Sequence, residues 1–156
     1  MDATQELFGA IQSGNTEVIS SLIKNQPELV NTKDQRGFTP LIFATYFNKE
    51  TITTLLLDHG ADINAKDASG NTALIGVSFK GNTKIMSDLI DRGADIDSKN
   101  NLGYTALIFA AMYDQKESVQ LLLKHHANKT LKDNEGNTAY DYAKAKGFSD
   151  IFSLLN

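Results

Sequence analysis

The chain has 156 residues, 41% hydrophobic and 22% charged, so it can build a core and is not of disordered composition. Its formal net charge of −4 lacks the basic footprint of a nucleic-acid binder or a polybasic membrane anchor. It has no cysteine, which excludes disulfides, thiolate metal sites and a cysteine nucleophile, and its start has neither the basic residues nor the apolar run of a secretion signal; a cytoplasmic location is the expectation.

The opening segment predicts a helix pair. Asp2 or Thr4 can cap the first helix, with Leu7, Ala10 and Ile11 on its apolar stripe. Gly14-Asn15 breaks the chain, and Asn15 can cap a second helix carrying Val18, Ile19, Leu22 and Ile23. Pro27 ends that run, and the link to the next unit reads as one residue longer than its later counterparts.

From Asp34 the chain repeats. Glycines at 37, 70, 103 and 136, threonines at 39, 72, 105 and 138, and leucines at 56, 89, 122 and 155 all recur at one constant step in the numbering. A period of this length means stacked supersecondary units, none able to bury its apolar face alone. In the unit 34–66, Asp34 to Phe38 predicts a turn with Gly37 at positive φ. Thr39 and Pro40 suit the cap and first position of a helix with Leu41, Phe43 and Ala44 inward. Asn48 tolerates a left-handed turn, and a second helix follows with Ile52, Leu55, Leu56 and Leu57. Gly60 ends it, and Ala61 to Asn64 begins an extended return.

The units 67–99 and 100–132 follow the same plan, with Gly81 and Asp114 at the inter-helix turn. In the latter, His126 replaces the terminating glycine, predicting a poorer helix end. Ser118 stands where Ile52 and Ile85 stand, predicting a soft spot in the core. The last unit, 133–156, turns Ile151, Leu154 and Leu155 inward and Asp141, Lys144 and Lys146 to water.

The strings GFTPL, GNTAL, GYTAL and GNTAY, with HGADIN and RGADID at the same period, resemble ankyrin repeats over essentially the whole chain. The resemblance implies an all-α solenoid of helix-turn-helix units joined by β-turn or hairpin fingers. It divides into an N-terminal capping unit 1–33, three full repeats and a C-terminal capping unit 133–156, forming one domain. Where the family usually has a histidine after Thr-Pro-Leu, this chain has Ile42, Ile75, Ile108 and Asp141, which replaces a hydrogen-bonded tie between repeats by apolar contact.

Motifs for chemistry are weak. Gly76 to Thr83 has the glycine spacing of a phosphate loop but Asn82 in place of its lysine, and the period puts Gly76 to Lys80 inside a helix. His59, His125 and His126 fall near helix C-termini, where positive charge is welcome, and two repeats of separation keep His59 and His125 from sharing a metal. No Gly-x-Ser-x-Gly occurs. The expectation is therefore no enzyme, no metal and no cofactor.

The family's partners are usually gripped by the turn tips and the inner side of the first helices. Mapped onto the three full units, those 21 positions hold six aromatics, where about two would be expected at the chain-wide 8%. The candidate binding residues are Arg36, Phe38, Tyr46, Phe47, Phe79, Lys80, Leu102, Tyr104, Met112 and Tyr113. Phe38 and Tyr104, close to the turns, can instead pack on neighbouring repeats. The resemblance implies a monomeric interaction module, scaffold, adaptor or inhibitor, that holds a protein partner on a concave face and touches neither nucleic acid nor membrane. The alternatives are self-association through the aromatic face and, less favoured, a nucleotide- or metal-dependent enzyme in a repeat fold.

Overall fold

In the computed structural model, which describes all residues from Met1 to Asn156, the chain forms ten α-helices and no β-strand. They are α1 (Ala3–Ser13), α2 (Thr16–Asn25), α3 (Pro40–Tyr46), α4 (Glu50–Asp58), α5 (Ala73–Lys80), α6 (Thr83–Asp91), α7 (Ala106–Met112), α8 (Lys116–Lys124), α9 (Ala139–Ala145) and α10 (Ser149–Leu155), with a 3₁₀ turn at Pro27–Asn31. Each odd-numbered helix packs on the even-numbered one that follows it. The odd helices also stack in a row, α1 on α3, α3 on α5, α5 on α7 and α7 on α9, and this row is the spine of the molecule.

Local sequence explains the elements. Asp2 caps α1 through a box with Gln5, and Asn15 caps α2. Thr39, Thr72, Thr105 and Thr138 each accept a hydrogen bond from the backbone N–H three residues on, at the starts of α3, α5, α7 and α9. Asn48, Gly81, Asp114 and Gly147 take positive φ between the helices of a pair, as the turn requires. Ile42, Ile75 and Ile108 are buried, so apolar contact does link neighbouring units, whereas Asp141 is exposed and reaches back to the Thr138 N–H.

The turns are joined edge to edge. Within each, one side-chain oxygen accepts two N–H groups: Asp34 from Arg36 and Phe38, Asp67 from Ser69 and Asn71, Asn100 from Leu102 and Tyr104, Asp133 from Glu135 and Asn137. Between turns, the Asn101 N–H donates to Ser69 O and the Asn134 N–H to Leu102 O, each at 3.0 Å. Lys33, Lys66 and Lys99 each donate Nζ to the carbonyl of the equivalent lysine in the next unit, at 2.8–3.0 Å.

Three sequence expectations change. The extra residue near the first link lies inside α2, which has 10 residues where α4, α6 and α8 have 9; the connection 26–39 is as long as 59–72 and 92–105. The return after Gly60 is a turn and not an extended segment, closed by the Ala65 N–H on Asp62 O at 3.2 Å and the Asn64 N–H on Asp62 Oδ1 at 3.0 Å. The end of α8 is as well formed as that of α4: His126 takes φ 66°, and the His126 and Ala127 N–H groups bond Leu123 O and Leu122 O at 3.0 Å. The histidine thus takes, within these two bonds, a conformation that glycine would adopt without strain, and Ala127 beyond it is buried.

Ser118 is only 1% exposed, and its hydroxyl has no hydrogen-bond partner. A buried unpaired hydroxyl costs about 1–3 kcal/mol. Ser118→Ala removes it, adds helix propensity and brings no steric demand. We expect a gain of about 1 kcal/mol, read as a melting temperature raised by about 2–4 °C. A lowered melting temperature would mean that the hydroxyl does find a partner.

Candidate functional site

The side chains predicted to bind lie on the face made by the turns and the odd helices. Four of them, Tyr46, Phe47, Leu102 and Tyr113, are 43%, 42%, 58% and 51% exposed; with Met1 they are the large apolar side chains that the fold leaves in water. Helix endings place three of the four. Tyr46 is the last residue of α3, and Phe47 and Tyr113 are the C-caps of α3 and α7, so their rings project past the helix ends. Leu102 stands alone at a turn tip.

The others are partly withdrawn. Phe38, Tyr104 and Met112 are half-buried, packed beside the core, and Phe79 is half-buried against Phe109 and Tyr113. Tyr104 lies 5.3 Å from the ring of Phe109 and 6.1 Å, edge-on, from that of Tyr142, so packing on its neighbours accounts for it. Arg36 pairs with Asp34 at 3.0 Å and covers the ring of Phe38 at 4.8 Å. Lys80 stands 4.0 Å over the Tyr46 ring, and its Nζ donates to Tyr46 O. The next steps of the stack repeat that tie: Gln115 Nε2 donates to Phe79 O at 2.8 Å and Lys146 Nζ to Met112 O at 3.1 Å.

Rings on this face form two groups, apart from the pair Tyr140 and Phe152 at the C-terminal end. One joins Phe8, Phe43, Phe47 and Tyr46, with neighbouring centroids 4.7–5.3 Å apart. The other joins Phe79, Phe109, Tyr113, Tyr104 and Tyr142 at 5.3–6.1 Å. Between them lies a hollow of about 300 Å³, lined by Arg36, Phe38, Tyr46 and Phe79 of the predicted set and by Asp67 and Gly76, among others. Sequence reading passes over Asp67 and takes Gly76 only as part of a failed phosphate loop. The signal is nonetheless present, since Gly76 occupies the place that Phe43 and Phe109 hold in the units on either side.

A turn acid at the other end of this face shows the local electrostatics. Burial would raise the Asp133 carboxyl, but hydrogen bonds from the Tyr142 hydroxyl and the Asn137 and Glu135 N–H groups outweigh it and hold it below its ordinary 3.8. Burial, and then the same bond, push the Tyr142 hydroxyl up. A carboxyl depressed in the fold contributes stability above its unfolded value, lost as pH falls through the folded one. Acidification below about pH 4 should therefore loosen α9 and α10. Near-UV circular dichroism of the tyrosines would follow it, and Asp133→Asn should flatten the acid limb.

A larger hollow is polar. The groove between α4 and α6, about 600 Å³, is lined by threonines, Ser87 and charged residues with Ile85 as its one apolar side chain, and is spanned by Lys84 and Glu50 at 2.8 Å. Residues Gly76 to Lys80 lie within α5, so the glycines 76 and 81 do not form a phosphate loop. No three histidine, aspartate or glutamate side chains gather as a metal site, and no helix is long and apolar enough to cross a membrane.

A family model described as ankyrin repeats (3 copies) matches residues 7–100 and, again, 73–156. No curated protein matches the sequence.

Proposed function

The chain belongs to the ankyrin repeat family, whose repeats are in general protein–protein interaction modules, and from that premise we propose that it captures a partner protein on its turn and odd-helix face, as scaffold, adaptor or inhibitor. One observation carries the reading. Apart from Met1, every large apolar side chain left exposed is on this one face, although the helices had the whole surface over which to scatter them. Aromatic side chains with few rotors are what binding hot spots favour, and the helix ends that carry Tyr46, Phe47 and Tyr113 hold them in place before a partner arrives, so little ordering entropy is lost. The absence of cysteine suits a reducing compartment such as the cytoplasm.

The test is affinity capture from a native lysate. Tyr46→Ala combined with Phe47→Ala should remove the captured partner while leaving the far-UV spectrum helical, since both residues lie at a helix end and neither is part of the buried core. Capture undiminished by the double substitution would refute the site. Light scattering at high concentration should give a monomer; a dimer would instead assign the aromatic face to self-association.

A further inference from the structure

Gly76 has no backbone reason to be glycine. It lies in the interior of α5, its φ is not positive, and a Cβ built on it would meet nothing within 4 Å. A glycine there costs about 1 kcal/mol relative to alanine. The same place in the units 34–66, 100–132 and 133–156 holds Phe43, Phe109 and Tyr142, while the N-terminal unit has Gly9 there. The hollow between the two ring groups is therefore the room of an absent aromatic side chain. Phe38, Ile42, Tyr46, Gly76, Phe79 and Asp67 are among its lining. A cavity of about 150 Å³ takes a benzene ring, and this one has about 300 Å³.

The last unit shows what belongs beside such an acid. Asp133, the counterpart of Asp67 two units on, accepts two turn N–H groups on Oδ1 and the Tyr142 hydroxyl on Oδ2. Tyr142 is at the place of Gly76. Asp67 accepts the same two N–H groups on Oδ1, each at 2.9 Å, and nothing on Oδ2. The remaining units leave no such atom free, since Asp34 Oδ2 takes Arg36 and Asn100 Nδ2 donates to Asn71. The unit 67–99 thus has both the ring space and the unused acceptor that a tyrosine fills in the last.

We propose that the hollow over Gly76 receives a tyrosine side chain of the partner protein, its ring between Phe38, Tyr46 and Phe79 and its hydroxyl donating to Asp67 Oδ2. This rests on the reading of the face as a protein-binding surface and names what it recognises. Phenylalanine fills the space but leaves Asp67 without a donor, and a phosphorylated tyrosine sets like charges against one another, so modification of the partner's tyrosine releases it.

The full chain, ¹⁵N-labelled, is titrated with N-acetyl-tyrosinamide, N-acetyl-phenylalaninamide and the O-phosphorylated tyrosinamide, following the amide signals of Gly76, Ser69 and Asn71. The tyrosine compound should shift all three saturably and bind about tenfold more tightly than the phenylalanine compound, with no saturable shift from the phosphorylated one. Gly76→Tyr supplies the ring from within; it should abolish the shifts while keeping or raising the melting temperature, which shows that it folds. Asp67→Asn, which places in this turn the residue type that Asn100 has in the next, should keep ring binding and lose the preference for tyrosine. Equal binding of the tyrosine and phenylalanine compounds, shifts that survive Gly76→Tyr, or no shift up to the solubility limit would each overturn the proposal. So would p-cresol binding where tyrosinamide does not, which would mean a free phenol, or probe-free shifts at Gly76 that grow with protein concentration, which would mean a second copy. No partner protein is needed, so failure here leaves the capture reading standing, and failure of capture leaves this titration to be read on its own.

Discussion

Gly70→Ala is expected to destabilise the protein by about 3 kcal/mol, far more than the same change at Gly136. Both glycines sit at the same place in their turns, with φ of 80° and 83°, so both pay the left-handed penalty of about 1–2 kcal/mol. They differ in what lies alongside. A Cβ on Gly70 would be 2.5 Å from Asn101 Oδ1 and 2.8 Å from the Asn101 backbone nitrogen. That nitrogen donates to Ser69 O at 3.0 Å, and Asn101 Nδ2 donates to Ala68 O at 3.0 Å. The neighbouring turn can retreat only by giving up these bonds, each worth about 1 kcal/mol. A Cβ on Gly136 meets nothing within 4 Å. Urea unfolding of the two variants separates the terms: the Gly136 variant reads the backbone strain alone, and the difference reads the contact between turns. Equal losses would show that the turns are not held together as the hydrogen bonds indicate.

Leu89→Ala should cost about 3–4 kcal/mol and change the shape of the unfolding transition as well as its midpoint. Leu89 is 0% exposed within a core that runs from Leu41 to Leu155. A second core, from Leu7 to Leu56, fills the N-terminal end, and α3 belongs to both: Leu41 and Ile42 to the first, Phe43 and Ala44 to the second. In a stack where each unit touches only its neighbours, a cavity in α6 weakens the coupling between the two ends. We expect far-UV and tyrosine near-UV signals, coincident in the parent protein, to separate in this variant. Leu155→Ala, at the chain's end and 5% exposed, should fray α10 and leave the rest cooperative. A single coincident transition for Leu89→Ala would mean that the two cores act as one.

Much of this was legible in the sequence because its causes are local. A threonine accepts the N–H three residues ahead, an aspartate or asparagine closes the turn that follows it, and asparagine, aspartate or glycine takes the left-handed bend between helices; each needs only a few adjacent residues. The constant repeat step, the replacement of the family's histidine by buried isoleucines, and the burial of Ser118 follow from the same comb.

What needed the tertiary structure depends on residues a whole repeat away along the chain. Tyr46 and Phe79 are alike in sequence context, yet one projects into water under Lys80 while the other is half-buried against Phe109 and Tyr113. The hollow exists because one unit lacks a ring that the units on either side of it have, and Asp67 keeps a free oxygen because no side chain reaches across to it. Backbone conformation is decided by neighbours along the chain; which groups remain unfilled or unpaired is decided by neighbours across the stack, and only assembling the units reveals those.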